Sequence, residues 1–148
     1  MRIAFDTNVL VYAESRSSDP RKQRAIDVLD RIDREQRVLP AQVITELFYV
    51  LTRKSGLSKA LASAVVLSWI EGSSIAPTDT DVVLLALELA SFHTFSIWDA
   101  IVVATAASAG CELLLSEDMN HGFIWSGVTI VNPFLDEPHV LLERALAP

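Results

Sequence analysis

Met1–Tyr12 reads MRIAFDTNVLVY. Ile3, Ala4 and Phe5 suit a short buried strand, and Val9, Leu10 and Val11 resume the apolar run after Asp6, Thr7 and Asn8. A carboxylate set between two buried segments is costly unless it is hydrogen-bonded, paired or holding a cation. In open α/β sheets ligands bind at the carboxyl ends of the strands, where Asp6 would stand. A second reading is available. Asp, Thr and Asn are all good helix caps, so Asp6 could simply start a helix at Val9.

The rest of the chain supplies the frame. Asp19-Pro20 starts an amphipathic helix with Ala25, Ile26, Val28, Leu29 and Ile32 on its apolar face. Arg37–Leu39 is a short strand ended by Pro40. Ala41–Lys54 is a helix with Glu46 at the edge of a broad apolar face. Ser58 caps a helix to about Ile70, and its core, Ala60 to Trp69, is so apolar that it should be buried or form an interface. Ile75-Ala76 is a very short strand. Thr78 to Asp81 reads as a capping box for a helix from Val82 to Phe92. Ser96 and Asp99 form a second such box, opening a helix rich in Ala and Val that Gly110 closes. Leu113–Leu115 and Val128–Val131 are strands, and Glu143 and Arg144 sit in a C-terminal helical turn. Strands alternating with helices imply a three-layer α/β/α fold with a mainly parallel sheet, in one domain of 148 residues.

Composition narrows the function. The chain is 51% hydrophobic and 21% charged, which suits a globular protein with a real core. No apolar run is long enough to span a bilayer, and Asp6 follows Arg2 too closely for a signal peptide. The single cysteine, Cys111, forms no internal disulfide, which fits a reducing cytoplasm. The net charge of −7 argues against nucleic acid as a partner. Its distribution softens that, because every Lys and Arg except Arg144 lies at or before Lys59.

Four acids have unusual settings: Asp6, Glu46, Asp99 and Asp118. Each has an ordinary explanation alone, as a cap or a boundary residue. Together they suggest carboxylates gathered at one end of a sheet, and such a cluster needs protons or cations. Oxygen-only donors suit Mg²⁺ or Mn²⁺, metals that serve phosphate chemistry. His93, His121 and His139 show no zinc-ligand spacing. No Gly-x-Ser-x-Gly turn and no phosphate-binding glycine loop is present.

FDTNVLVYA at Phe5 to Ala13, TELFYVLTR at Thr45 to Arg53, SIWDAIVVATA at Ser96 to Ala106, LLLSEDMNHG at Leu113 to Gly122 and GVTIVNPF at Gly127 to Phe134 occur in this order. In that order and spacing the chain resembles the PIN-domain family, specifically the VapC-type toxins of bacterial toxin–antitoxin pairs. The resemblance implies a PIN-like fold and an endoribonuclease dependent on Mg²⁺ or Mn²⁺. It places the family's acidic quartet on Asp6, Glu46, Asp99 and Asp118, with Asp6, Asp99 and Asp118 as metal ligands. Thr7, Asn8 and Ser116 would support those carboxylates. Glu117 competes for the fourth place, and the spacing from Ser116 favours Asp118.

The resemblance also implies a homodimer and a small VapB-like antitoxin laid into an apolar groove, with the Ala60–Trp69 stretch, Phe48 and Tyr49 as interface candidates. RNA contact would use Arg16, Arg21, Lys22, Arg53 and Lys54. The alternatives are a flap-type nuclease acting on DNA, a phosphatase using Asp6 as nucleophile and a non-catalytic binding module. The phosphatase pattern wants a second Asp where this chain has Asn8.

Overall fold

A strand that leaves the sheet into a helix must satisfy the first N–H groups of that helix. This requirement recurs at most of the strand–helix junctions here. The computed structural model describes residues 1–147. In chain order, β1 (Ile3–Phe5) leads into α1 (Thr7–Glu14) and α2 (Pro20–Asp30). Next come β2 (Arg37–Pro40), α3 (Ala41–Arg53), α4 (Lys59–Glu71), β3 (Ser74–Ala76), α5 (Thr80–Phe92) and α6 (Ile97–Ser108). The chain then forms β4 (Leu113–Leu115), β5 (Ile124–Trp125), β6 (Val128–Val131) and α7 (Val140–Ala145).

The strands form one six-stranded sheet in the order β3-β2-β1-β4-β6-β5. All neighbours are parallel except β5 and β6. The chain steps from β1 outward to β2 and β3, then crosses back to β4 on the other side of β1. Right-handed crossovers in opposite directions put their helices on opposite faces. So α1 to α4 cover one face, α5 and α6 cover the other, and the sheet is the middle of three layers. The point where strand order reverses lies between β1 and β4. Such a point opens a crevice at the carboxyl ends of the two strands.

The core is the sheet and the helix faces against it. Every residue of β1, β4 and β6 is buried. Parallel strands covered on both faces read as unbroken apolar runs, and LLL in β4 is one. Ala100 and Val102 to Ala106 of α6 are also buried, as the mostly apolar sequence of that helix predicts.

Three expectations need correction. The helix after β1 starts at Thr7 rather than Val9, because Asp6 itself accepts the first N–H. The cap of α5 is Asp79, whose Oδ1 accepts the N–H of Val82 at 3.0 Å, so Thr78 is not the cap. The apolar stretch Ala60 to Trp69 is not core: α4 buries only Ala62 and Val66 and leaves Leu61 and Leu67 more than half exposed. Its apolar residues ring the helix instead of forming one face, so most point away from the sheet. Trp69 Nε1 ties α4 back to α1 by donating to Glu14 Oε1 at 2.9 Å. The two-residue β5 was not foreseen. It exists because Ser126 and Gly127, both at positive φ, make a tight hairpin into β6.

Leu114 pairs with Ala4 on one side and Ile130 on the other and is fully buried. Leu114→Ala should cost about 3 kcal/mol and lower Tm by roughly 10 °C. Urea unfolding measures the first and calorimetry the second; a loss under about 1 kcal/mol would show that this strand is not central to stability.

Candidate active site

Asp6 follows the last residue of β1, yet its backbone N–H still donates to Leu115 O of β4 at 2.9 Å. The side chain is therefore fixed at the strand end, and only 7% of the residue is exposed. Oδ1 accepts the N–H of Thr7 at 2.8 Å, which caps α1. Oδ2 accepts Ser116 Oγ at 2.7 Å and Asn8 Nδ2 at 3.0 Å. The two readings of Asp6 from sequence are thus both true: it is a helix cap and a buried group facing a crevice.

Three more carboxylates reach the same crevice from other segments. Glu46 comes from the second turn of α3, where Oε2 accepts Thr7 Oγ1 at 2.8 Å and Oε1 accepts Gln42 Nε2 at 2.9 Å. Asp99 comes from the first turn of α6, whose cap Ser96 accepts the Asp99 N–H at 3.1 Å. Asp118 lies just past β4 and accepts Asn8 Nδ2 at 3.3 Å. Asp6, Thr7, Asn8, Tyr12, Glu46, Val50, Lys54, Asp99, Glu117 and Asp118 line one open cleft of about 380 Å³.

Asn8 joins the two central strand ends. Its Nδ2 faces Asp6, Ser116 and Asp118, while its Oδ1 accepts the N–H of Glu117 at 3.2 Å. Ser116 is fully buried and also accepts the N–H of Met119 at 3.3 Å. Glu117, next to Asp118, has both carboxylate oxygens engaged. Arg21 Nη1 donates to Oε1 at 2.7 Å and Tyr12 Oη donates to Oε2 at 2.6 Å. Asp118 is therefore the acid of the two without a cationic partner in the cleft.

Burial is the main cause that pushes the Asp6 carboxyl up to about 6. The charges of Asp99 and Glu46 push in the same direction, against the hydrogen bonds from Ser116 and Thr7. Asp99 is raised too, chiefly by burial and further by Glu46 and Asp118. Carboxylates that raise one another in this way are poised for a cation. The donor set is oxygen only, which fits a hard divalent ion. Among the described residues, no group of three or more His, Cys, Asp or Glu is arranged to hold a metal as it stands. The histidines are used elsewhere. Nδ1 of His121 accepts the Asn132 N–H and Nδ1 of His139 accepts the Leu141 N–H.

Sequence reasoning missed Gln42 and Tyr12. Gln42 stands four residues before Glu46 on one helix face, and also donates to Trp98 O at 3.1 Å, linking α3 to the start of α6. The (i, i+4) spacing could have flagged it. Tyr12 has no local signal, because its partner Glu117 is distant in sequence. Arg21, expected from sequence as an RNA contact, is paired with Asp19 and Glu117.

The raised Asp6 carboxyl makes stability fall with pH. Its native value of about 6 exceeds the ordinary 3.8, so the folded chain holds a proton that the unfolded chain has lost. This contribution is greatest below about pH 4 and disappears as pH rises through 6. Asp19, held near 2 by Arg21, contributes with the opposite sign and only at the lower end of that window. In EDTA, Asp6→Asn should gain stability relative to wild type between pH 4 and 7, by as much as about 3 kcal/mol. Parallel pH profiles for the two proteins would refute the raised carboxyl.

The family model for the PIN domain matches residues 3–122. A search of curated proteins finds no sequence match. Among solved structures, the chain is similar to FitAcB from Neisseria gonorrhoeae, with 20% identity and a TM-score of 0.68 over 89% of this chain and 98% of that one. It is similar to a toxin–antitoxin complex from Klebsiella pneumoniae, with 19% identity and a TM-score of 0.69 over 89% and 98%. It is also similar to Mycobacterium tuberculosis VapC20, described as a sarcin–ricin loop cleaving toxin, with 22% identity and a TM-score of 0.63 over 76% and 86%. At these identities the structures speak for the fold alone, and the family rests on the model that spans most of the chain: this protein belongs to the PIN domain family.

Proposed function

We propose that the protein is a Mg²⁺- or Mn²⁺-dependent endoribonuclease, the toxin of a VapBC-like toxin–antitoxin pair acting in the cytoplasm. The observation that carries this reading is the convergence of Asp6, Glu46, Asp99 and Asp118 from four separate segments on the crevice beside β1 and β4. The structural neighbours support it, since one is described as cleaving the sarcin–ricin loop and another as a toxin–antitoxin complex. Among the described residues, no helix is long and apolar enough to cross a membrane.

Asp6, Asp99 and Asp118 would hold the cation. When bound, it would ease deprotonation of a water and offset charge developing on the phosphate. Ser116, Thr7 and Asn8 fix the Asp6 carboxylate at the wall of the cleft. Thr7 and Gln42 hold both oxygens of Glu46, which keeps that carboxylate at the cleft wall to orient the attacking water and take its proton. In-line attack on the phosphodiester leaves a 5′-phosphate and a 3′-hydroxyl. Lys54 lines the same cleft and is suited to a substrate phosphate.

A small antitoxin would lie along the groove that adjoins the cleft. Val11, Glu14, Arg16, Ser55 and Leu57 line that groove. The exposed Tyr49, Leu61 and Leu67 are apolar surface for that partner or for a second copy of the chain.

Purified wild type and Asp99→Asn should be compared on RNA and on DNA, with Mn²⁺, with Mg²⁺ and with EDTA. Discrete cleavage of RNA that needs the metal and is lost in the variant is the expected result. Cleavage of DNA alone would replace the substrate. Absence of cleavage together with no metal-induced rise in Tm would favour a binding module. Lys54→Glu should weaken RNA binding and lower the salt slope by about 1; an unchanged slope would remove Lys54 from the interface.

A further inference from the structure

The cleft contains a fifth acid. Glu117 lines it together with Asp6, Glu46, Asp99 and Asp118, and is adjacent in sequence to Asp118. Nothing in its chemistry prevents it from competing for a cation. Its surroundings do. Oε1 is held by Arg21, Oε2 by Tyr12, and the backbone N–H by Asn8.

Arg21 is itself fixed from several sides. Its Nε and Nη2 both donate to the Asp19 carboxylate, at 3.0 and 2.6 Å, leaving Nη1 for Glu117. Its guanidinium lies 4.5 Å from the centre of the Tyr12 ring. Asp19 caps α2, with Pro20 setting the first turn, so the position of Arg21 follows from where that helix begins. The Tyr12 ring in turn packs edge-on against Phe134 at 5.0 Å. A lone surface ion pair contributes little, because two long side chains must be ordered to form it. Here the ordering is already supplied by Asp19, Tyr12 and Phe134, and the planar fork of arginine suits two carboxylates at once.

We propose that Arg21 is a positioning residue of the acid cleft: with Tyr12 it holds Glu117 against the wall, so that Asp118 alone represents this loop among the metal ligands. This rests on the metal-dependent reading given above. Without Arg21, Glu117 loses its one cationic partner among the described residues and turns toward the cleft. The site then carries one more negative charge and one more oxygen donor. A divalent ion would then be held more tightly, by Glu117 as well as Asp6, Asp99 and Asp118, but displaced from its place beside Glu46, and turnover would fall.

The test is a Mn²⁺ titration by calorimetry, read beside RNA cleavage. Arg21→Ala should bind Mn²⁺ about fivefold more tightly than wild type while cleaving more slowly. Arg21→Ala combined with Glu117→Gln should return to the wild-type affinity, and Arg21→Lys, which keeps a charge opposite Glu117, should stay near it. Glu117→Gln alone should change the affinity by less than about twofold, whereas Asp118→Asn should weaken it.

Unchanged or weaker binding in folded Arg21→Ala would overturn the proposal, as would tighter binding that persists in the double variant. If Arg21→Ala does not fold, the Glu117→Gln measurement decides: weakening as large as that from Asp118→Asn would show that Glu117 is already a ligand. Wild type that binds no Mn²⁺ would sink the metal-dependent reading and this proposal with it, whereas wild type that binds while the variants match it would sink the proposal alone.

Discussion

One buried carboxylate sets the terms for the centre of this molecule. Asp6 stands where β1 ends, almost without solvent, and every atom that surrounds it has to offset the cost of keeping a charge there. The offset comes from three directions. Thr7 supplies a backbone N–H from the helix that Asp6 caps, Asn8 supplies a side-chain amide from the same first turn, and Ser116 supplies a hydroxyl from the end of the neighbouring strand. The last of these spans the line between β1 and β4. Holding Asp6 therefore also fixes how the loop after β4 leaves the sheet.

The same economy extends outward. Thr7 uses its N–H on Asp6 and its hydroxyl on Glu46, so one residue sets the spacing between two acids on different elements. Gln42 repeats the pattern between Glu46 and the backbone at Trp98, just before Asp99. Asp6, Glu46 and Asp118 are thereby linked through neutral donors, and Asp99 is tied in only through the backbone just before it. Neutral donors hold the carboxylates in place without cancelling their charge, and burial, with their mutual repulsion added to it, leaves Asp6 and Asp99 reluctant to ionise. Glu117 is the exception, because a cation holds it.

Much of this was legible in the sequence because the signals are local. Apolar triplets mark β1 and β4, Asp-Pro and Ser-x-x-Asp mark helix starts, and Gly110 marks the end of α6 at a φ of +70°. The four cleft acids could be nominated because each follows a strand or sits in or near the start of a helix, where the fold class directs ligands. Tertiary choices were not legible. Val65 and Leu67 are equally apolar, yet the helix turns Leu67 outward and packs Val65 on the core. Periodicity cannot decide which side of an all-apolar helix meets the sheet. The Arg21–Glu117 pair bridges the start of α2 and the loop after β4, and no pattern within a short window could join them.

The two ends of the sheet have a consequence for assembly. On one side β5 is two residues long and is folded back by the tight turn at Ser126-Gly127. On the other side β3 is three residues long, and Pro77, which has no N–H to offer, follows it at once. An incoming strand finds almost no row of free donors and acceptors at either margin, so the sheet resists extension by a neighbour's strand and the aggregation that such extension seeds. Apolar surface for a partner lies on the helices instead, where Leu61, Leu84 and Phe92 face outward.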